Sequence, residues 1–324
     1  MCKCQRDRYK DPATENEKVI NLREEVIKRL EQTVGNDQFL RNEPMKKHIT
    51  FRVGGPAACF LMPSTKEQIE EIVHICQEEK TPCFILGNGS NLLVSDSGYR
   101  GVIIQMDRNM EEIRLDGEEI HACAGALLSS VAVAARNASL TGFEYAGGIP
   151  GTIGGAAVMN AGAYGGELKD VVTEVTALYP DGVKVLTPAE LDFSYRHSVF
   201  SAGEGIVLGA KVKLESGDPD AIKAKMDDLM ARRKASQPLE LPSAGSVFKR
   251  PEGYFAGTLI EQCGLKGFAV GGACVSEKHA GFIVNKGGAT CADVEALIRA
   301  IQDTVFQATG VELEPEIRRI SLSE

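Results

Sequence analysis

The sequence predicts an α+β fold built from more than one unit, and three observations carry that expectation. Its 324 residues exceed what one ordinary core organises. A strand–helix–strand pattern between residues 50 and 105 gives way to hairpins from 113 to 216, not to continued alternation of strands and helices. Beyond a "SGDP" loop at 216–219, helices and short strands resume over about 100 residues, a common domain size. The division read from this is a tail and helix over 1–44, a first domain over 45–216 with subdomains 45–112 and 113–216, and a last domain over 217–324.

The elements follow in order. Apolar Val19, Ile20, Leu22, Val26, Ile27 and Leu30 recur at helical spacing, predicting an amphipathic helix within 15–40 behind a loose start. "FRVGGPAACFLMP" reads as a strand interrupted by Gly-Gly-Pro. "STKEQIEEIVHICQEEK" reads as a helix, with Ser64 and Glu67 at capping-box spacing. "PCFILG" and "VIIQM" read as strands separated by the polar loop "NGSNLLVSDSGYRG". Asp116-Gly117 and Pro180-Asp181-Gly182 mark two hairpin tips. "LLSSVAVAARNAS" is a helix expected to end near Gly142, and "GIVLGAKVKLES" is a strand. The last unit predicts helices in "DAIKAKMDDLMARRKASQP", "FAGTLIEQCGLKG" and "ADVEALIRAIQDTVFQATG", strands across "FAVGGACVSEKHAGFIVNKGG", and an ending strand in "VELEPEIRRI".

Composition narrows the function. Apolar residues are 43% and charged residues 25%, as in soluble globular proteins. No run of 18 apolar residues predicts a membrane span, and the charged start has no signal-like apolar region. Nine cysteines, an odd number mostly in apolar runs, suit a reducing compartment, so a cytoplasmic location is expected, and a monomer is the expected state. Cys2 and Cys4 have no second Cys/His pair at zinc spacing, so no metal is expected. A net charge of −9 argues against nucleic acid, but the local cluster Arg232, Arg233, Lys234, Lys249 and Arg250 suits an anionic small molecule.

"YAGGIPGTIGGAAVMNAGAYGG", Tyr145 to Gly166, holds eight glycines and no charge. It lacks Rossmann spacing, and "GNGSNL" at Gly87 lacks the third glycine of that fingerprint. The interleaved Ile149, Ile153, Val158 and Met159 argue against a flexible linker. A dense structural turn and a wall for a pyrophosphate or flat ring both remain. Backbone N–H groups of Gly87 to Asn91 suit an anion nest.

Six motifs in order, "ILGNGSNLLVSDSGYRGVII", "AGGIPGTIGGAAVMNAGAYGG", "YRHSVF", "PSAGSVFKRP", "LIEQCGLKGFAVGGACVSEKHAGFIVN" and "LEPEIRRI", resemble the UDP-N-acetylenolpyruvoylglucosamine reductase (MurB) family from about Ile49 to Ile320. The resemblance implies a vanillyl-alcohol-oxidase-like (PCMH-type) FAD-binding domain followed by an α+β substrate-binding domain. It implies non-covalent FAD, NADPH as hydride donor, a UDP-sugar as substrate, and a place in peptidoglycan and cell-wall synthesis, hence in cell shape and division. FAD would be held by Gly87, Asn88, Gly89, Ser90 and Asn91, and by Gly148, Ile149, Pro150, Gly151, Gly154, Gly155, Asn160, Ala161 and Gly162. Arg196 would balance the substrate carboxylate, Ser246 would deliver a proton, and Glu316 would help hold the enol form. Arg233, Lys234, Lys249, Arg250 and His279 are the substrate-binding candidates. The spacing of Arg196 and Ser246 resembles the shorter subtype without an inserted tyrosine segment. Without the resemblance, Arg196 reads as a surface ion-pair partner, "SAGS" as a turn and Glu316 as an exposed strand residue. A related flavoprotein oxidase, or a non-catalytic flavin-binding protein, are the alternatives.

Overall fold

In a computed structural model that describes residues 22–321, the chain starts with helix α1 (Glu24–Val34). Val26, Ile27, Leu30 and Val34 form its buried face. The helix is shorter than the 15–40 expectation because Gly35 ends it at φ 84°, and Phe39–Pro44 then turns back as a strand. Cys2, Cys4, Val19 and Ile20 lie outside the described residues.

Helix α2 (Lys66–Glu78) is capped by Thr65, whose hydroxyl accepts from Gln68 N, one residue later than the spacing of Ser64 suggested. Ser64 instead donates its N–H to Gln68 Oε1 at 2.7 Å. Four strands form the first sheet in the order 39–44, 56–61, 99–105, 83–86, and the last three run parallel. This is the expected βαβ unit. The strand expected across "FRVGGPAACFLMP" is only Pro56–Leu61. Arg52 and Gly54 take φ of 55° and 120°, and a Cβ on Gly54 would lie 2.6 Å from Val94 Cβ, so this backbone is packed rather than extended.

The second lobe is a five-stranded antiparallel sheet in the order 182–186, 172–179, 206–213, 119–123, 113–116, containing both predicted hairpins. Helix α3 (Leu128–Asn137) stops before the expected Gly142, and Ser139 at φ 58° redirects the chain. The glycine-rich stretch resolves into a 3₁₀ turn (Glu144–Gly148), helix α4 (Ile153–Met159) and a small hairpin at 162–167. Helix α5 (Pro219–Ser236) follows, with Asp218 as cap. It packs back on α3 and the 3₁₀ turn of this lobe.

One contact fixes α5 there. Glu144, 4% exposed, accepts from Thr141 Oγ1, Gly142 N and Lys225 Nζ. Burial alone would raise its pKa. The Thr141, Lys225 and backbone hydrogen bonds outweigh that and hold the carboxyl below its ordinary 4.5. Its folded value is depressed, so its contribution is complete above 4.5 and is lost as pH falls through the folded value. Lys225→Met should therefore shift the acid limb of thermal stability to higher pH. Because the lysine is solvent-exposed, the loss near neutrality should be about 1 kcal/mol or less. Unfolding temperature against pH should show the variant below the parent above pH 4.5 and the two curves converging in acid; curves superposed above pH 4.5 would reject this role.

The remaining chain forms helices α6 (Ala256–Gln262) and α7 (Cys291–Thr309) over an antiparallel sheet ordered 243–246, 282–285, 273–275, 269–270. Thr290 and Asp293 cap α7 reciprocally. The ending strand reduces to Arg318–Ile320, which pairs in parallel with Leu92–Val94 of the first lobe. One apolar core runs through both regions, joining Phe51, Phe60 and Leu93 to Val247, Ile260, Leu297 and Ile301.

Candidate active site

A cavity of about 490 Å³ opens where the three regions meet. Its first wall is the loop Gly87–Asn91. A Cβ on Gly87 would lie 2.5 Å from Thr152 Oγ1, so glycine lets this loop close on the glycine-rich stretch. Asn88 Nδ2 donates to Pro150 O at 2.7 Å and pins the two segments together.

The second wall is Ile149, Pro150, Gly151, Gly155, Ala161 and Gly162, with Thr152, Met159 and Tyr164. Gly151 takes no special φ, and a Cβ there would meet nothing nearer than 3.7 Å. The fold therefore tolerates a side chain at 151, but that side chain would stand at the cavity wall. Gly151→Val is expected to fold with unchanged circular dichroism and to lose flavin during gel filtration. A yellow, flavin-retaining variant would count against the wall.

Three predicted contacts in this stretch do not line the cavity. Gly154 packs on Ala124, where an added Cβ would come within 3.0 Å of Ala124 Cβ. Gly148 lies beneath Arg233, whose Cδ would be 2.9 Å from its Cβ. Asn160 is fully buried with φ 43° at the end of α4. Its amide donates to Glu167 Oε2 and to Ser194 O. All three thus support the wall and its neighbours instead of facing the cavity.

Arg196 sits in a two-residue turn closed by hydrogen bonds in both directions between Ser194 and His197. Its φ of 55° is unusual for a side chain of this size, and such backbone strain concentrates at functional sites. Arg196 Nε donates to Glu316 Oε1 at 2.7 Å, and Nη2 reaches Gly162 O at 3.4 Å. The side chains are 21% and 12% exposed. Glu316 is fixed through its backbone: its N–H donates to Val247 O, and its carbonyl accepts from Asn91 Nδ2. The carboxylate is therefore an ion-pair partner of Arg196.

Ser246 ends strand 243–246, and its Oγ donates to Phe248 O at 3.2 Å. That partner is a carbonyl, so nothing bonded to the hydroxyl is a base that would make it a nucleophile. His279 Nδ1 accepts from Gly281 N at 3.1 Å, and burial lowers its pKa below the ordinary value. The neutral ring then carries its proton on Nε2.

Arg233, on α5, lines the cavity and makes no ion pair with any described carboxylate. Burial depresses its pKa. Gln237 was not anticipated. It lines the same cavity, and its buried Oε1 has no hydrogen-bond partner among the described residues. Arg318 and Tyr164 also line the cavity and were missed, although both sit inside quoted motifs. An apolar wall, a loop of backbone N–H groups, a partly desolvated cation and an orphaned acceptor fit a flat, anionic cofactor and an anionic co-substrate.

The rest of the basic cluster lies elsewhere. Lys249 pairs with Glu314, and the Arg250 guanidinium stacks 4.0 Å from the Phe255 ring centroid. Both line a separate cavity of about 570 Å³ with Tyr195 and Tyr254. Lys234 is exposed, and its carbonyl accepts from Lys278 Nζ. Among the described residues no group of three or more potential ligands could hold a metal, and no helix is long and apolar enough to cross a membrane.

Comparison with known proteins gives consistent matches. Residues 57–187 match an FAD binding domain, and residues 237–320 match the C-terminal domain of UDP-N-acetylenolpyruvoylglucosamine reductase. A UDP-N-acetylenolpyruvoylglucosamine reductase of Caldanaerobacter subterraneus subsp. tengcongensis is 49% identical over 92% of this chain and 98% of its own length. That of Agathobacter rectalis is 50% identical over 87% and 94%. The crystal structure of the Thermus caldophilus enzyme superposes with a TM-score of 0.76 at 36% identity, covering 88% of this chain and 98% of that one. The α+β fold with a flavoprotein-type FAD-binding domain, expected from the motifs, is the one found.

Proposed function

This chain belongs to the UDP-N-acetylenolpyruvoylglucosamine reductase family, and from that premise we propose that it reduces UDP-N-acetylenolpyruvoylglucosamine to UDP-N-acetylmuramate with NADPH. The observation that carries the assignment of roles is the convergence of Arg196, Ser246 and Glu316 on one cavity with the Gly87–Asn91 loop. Residues 45–216 would then hold the cofactor and 217–324 the substrate, with α5 lending Arg233 from the second lobe.

FAD, when bound, supplies the hydride transfer from NADPH to the alkene carbon of the enol ether. The chain's own residues do the rest. As negative charge builds on the neighbouring carbon and the carboxylate, Arg196 provides a fixed countercharge that water would supply less well. Glu316 orients that guanidinium through Nε, Gly162 O takes one Nη2 donor, and the other N–H groups are left for the substrate. Ser246 turns its hydroxyl from Phe248 O toward the carbon and gives up its proton there. Arg233, whose guanidinium makes no ion pair among the described residues, receives an anionic group of the UDP-sugar, and His279 Nε2–H offers a further donor. NADPH and the sugar nucleotide would use the same cavity in turn. Lys249, Arg250 and Lys234 fall outside this central set. Lys249 and Arg250 lie beyond the Arg196 turn, where a diphosphate extending past Tyr195 would meet them.

In this reading the protein acts as a cytoplasmic monomer in cell-wall precursor synthesis, and so bears on cell shape and division. Anaerobic stopped-flow absorbance tests the core claim. NADPH should bleach the flavin, and UDP-N-acetylenolpyruvoylglucosamine should restore its colour. Bleaching without substrate-dependent recovery would reject it.

A further inference from the structure

Away from the cavity, the turn between α2 and strand 83–86 brings two cysteines together. Thr81 N donates to Cys76 O at 2.8 Å, folding the connection tightly, and Pro82 O accepts from Val102 N as the edge strand begins. Cys76 lies in the last turn of α2 and is buried, while Cys83 opens the edge strand and is exposed. Cys83 also lines a surface cavity of about 410 Å³ together with Arg318 and Arg319. We propose that Cys76 and Cys83 form a peroxide-responsive dithiol, with Cys83 as the attacking thiol and Cys76 as the resolving one.

The electrostatics agree with the geometry. Cys83 is registered with Val102 across the sheet, and Val102 packs in the same apolar cluster as Cys76. The neighbouring Cys83 thiol, together with burial, raises the Cys76 thiol well above its ordinary value. Cys76 in turn lowers Cys83. The Cys83 sulfur is thus the one favoured as thiolate, and thiolates are the nucleophiles. Cys59 lies on the same sheet, one strand beyond Val102, but burial pushes it up to about 11.

The chemistry balances with a peroxide as two-electron oxidant. The Cys83 thiolate attacks one peroxide oxygen, the O–O bond breaks, and the departing oxygen takes a proton to leave as water or an alcohol. Cys76 sulfur then attacks the Cys83 sulfenic acid, water leaves, and a disulfide forms. That bond would tie the end of α2 to the strand leading into the Gly87–Asn91 loop.

The test uses the flavin-loaded wild-type protein treated with hydrogen peroxide, alkylated and digested with trypsin. Lys80 lies between the cysteines, so peptides 67–80 and 81–100 should appear joined, two hydrogens lighter than their sum. In Cys76→Ser, dimedone should tag Cys83. In Cys83→Ser, Cys76 should stay alkylatable at the same exposure. The proposal is overturned if the linked pair is absent, or if Cys123 or Cys263 reacts before Cys83. The wild-type peptide map decides the matter even if Cys76→Ser folds poorly.

Discussion

Ser246→Ala should leave flavin reduction by NADPH largely intact while lowering turnover of the enolpyruvyl substrate about 10²–10³-fold, the usual loss for one preorganised donor. The half-reactions separate because the hydroxyl acts only when the substrate carbon needs a proton. The Ser246 side chain makes one hydrogen bond, to Phe248 O, and the strand pairing of residue 246 with Phe282 is backbone, so alanine should fold normally. Stopped-flow rates of bleaching and of recovery, measured on one preparation, give both numbers. Equal losses in the two phases would place Ser246 in binding or folding instead. Unchanged recovery would remove it from the reaction.

Arg196→Lys should be at least as damaging, despite keeping the charge. A lysine offers a point charge where Arg196 engages Glu316 through Nε and Gly162 O through Nη2, and it cannot hold one carboxylate while presenting parallel donors to another. Glu316→Gln tells the two functions apart. The amide oxygen still accepts from Nε, so an orienting role predicts a smaller loss than Arg196→Lys. If Glu316→Gln instead exceeds Ser246→Ala in suppressing recovery, the carboxyl group is the proton donor and Ser246 is not.

Much of this is legible in the sequence. The helices α2, α5, α6 and α7 and both hairpins declare themselves by apolar period and turn residues, because those signals are local. The errors share a physical origin. Phe39–Pro44 is a strand only because Pro56–Leu61 lies beside it, and no pattern within six residues announces a partner that far along the chain. Ser64 and Thr65 have equal capping chemistry, and the choice between them came from where Gln68 Oε1 found a donor.

The site shows the same limit. Composition correctly marked the glycine-rich stretch as a place of close approach, but not what each glycine approaches. Gly151 lines the cavity, Gly154 meets Ala124, and Gly148 makes room for Arg233. Proximity in sequence also misled the basic cluster. Lys249 and Arg250 are only three and four residues from Ser246, yet they occupy another cavity beyond the Arg196 turn. Gln237 carries no sequence signal at all, since its importance lies in an acceptor left unpaired by its surroundings.

The pairing of Leu92–Val94 with Arg318–Ile320 has a consequence for biosynthesis. A chain emerging N-terminus first can close the hairpin lobe as soon as residue 213 is available, because all five of its strands have then been made. The first lobe cannot do so. Its Phe51, Phe60 and Leu93 wait for Leu297, Ile301, Leu313 and Ile317, which are made roughly 200 residues later. At about 5–20 residues per second, the apolar face at 45–103 stays uncovered for roughly ten seconds or more. The nascent protein should therefore lean on chaperones through residues 45–103, and should become able to capture its cofactor only after Arg318–Ile320 is released.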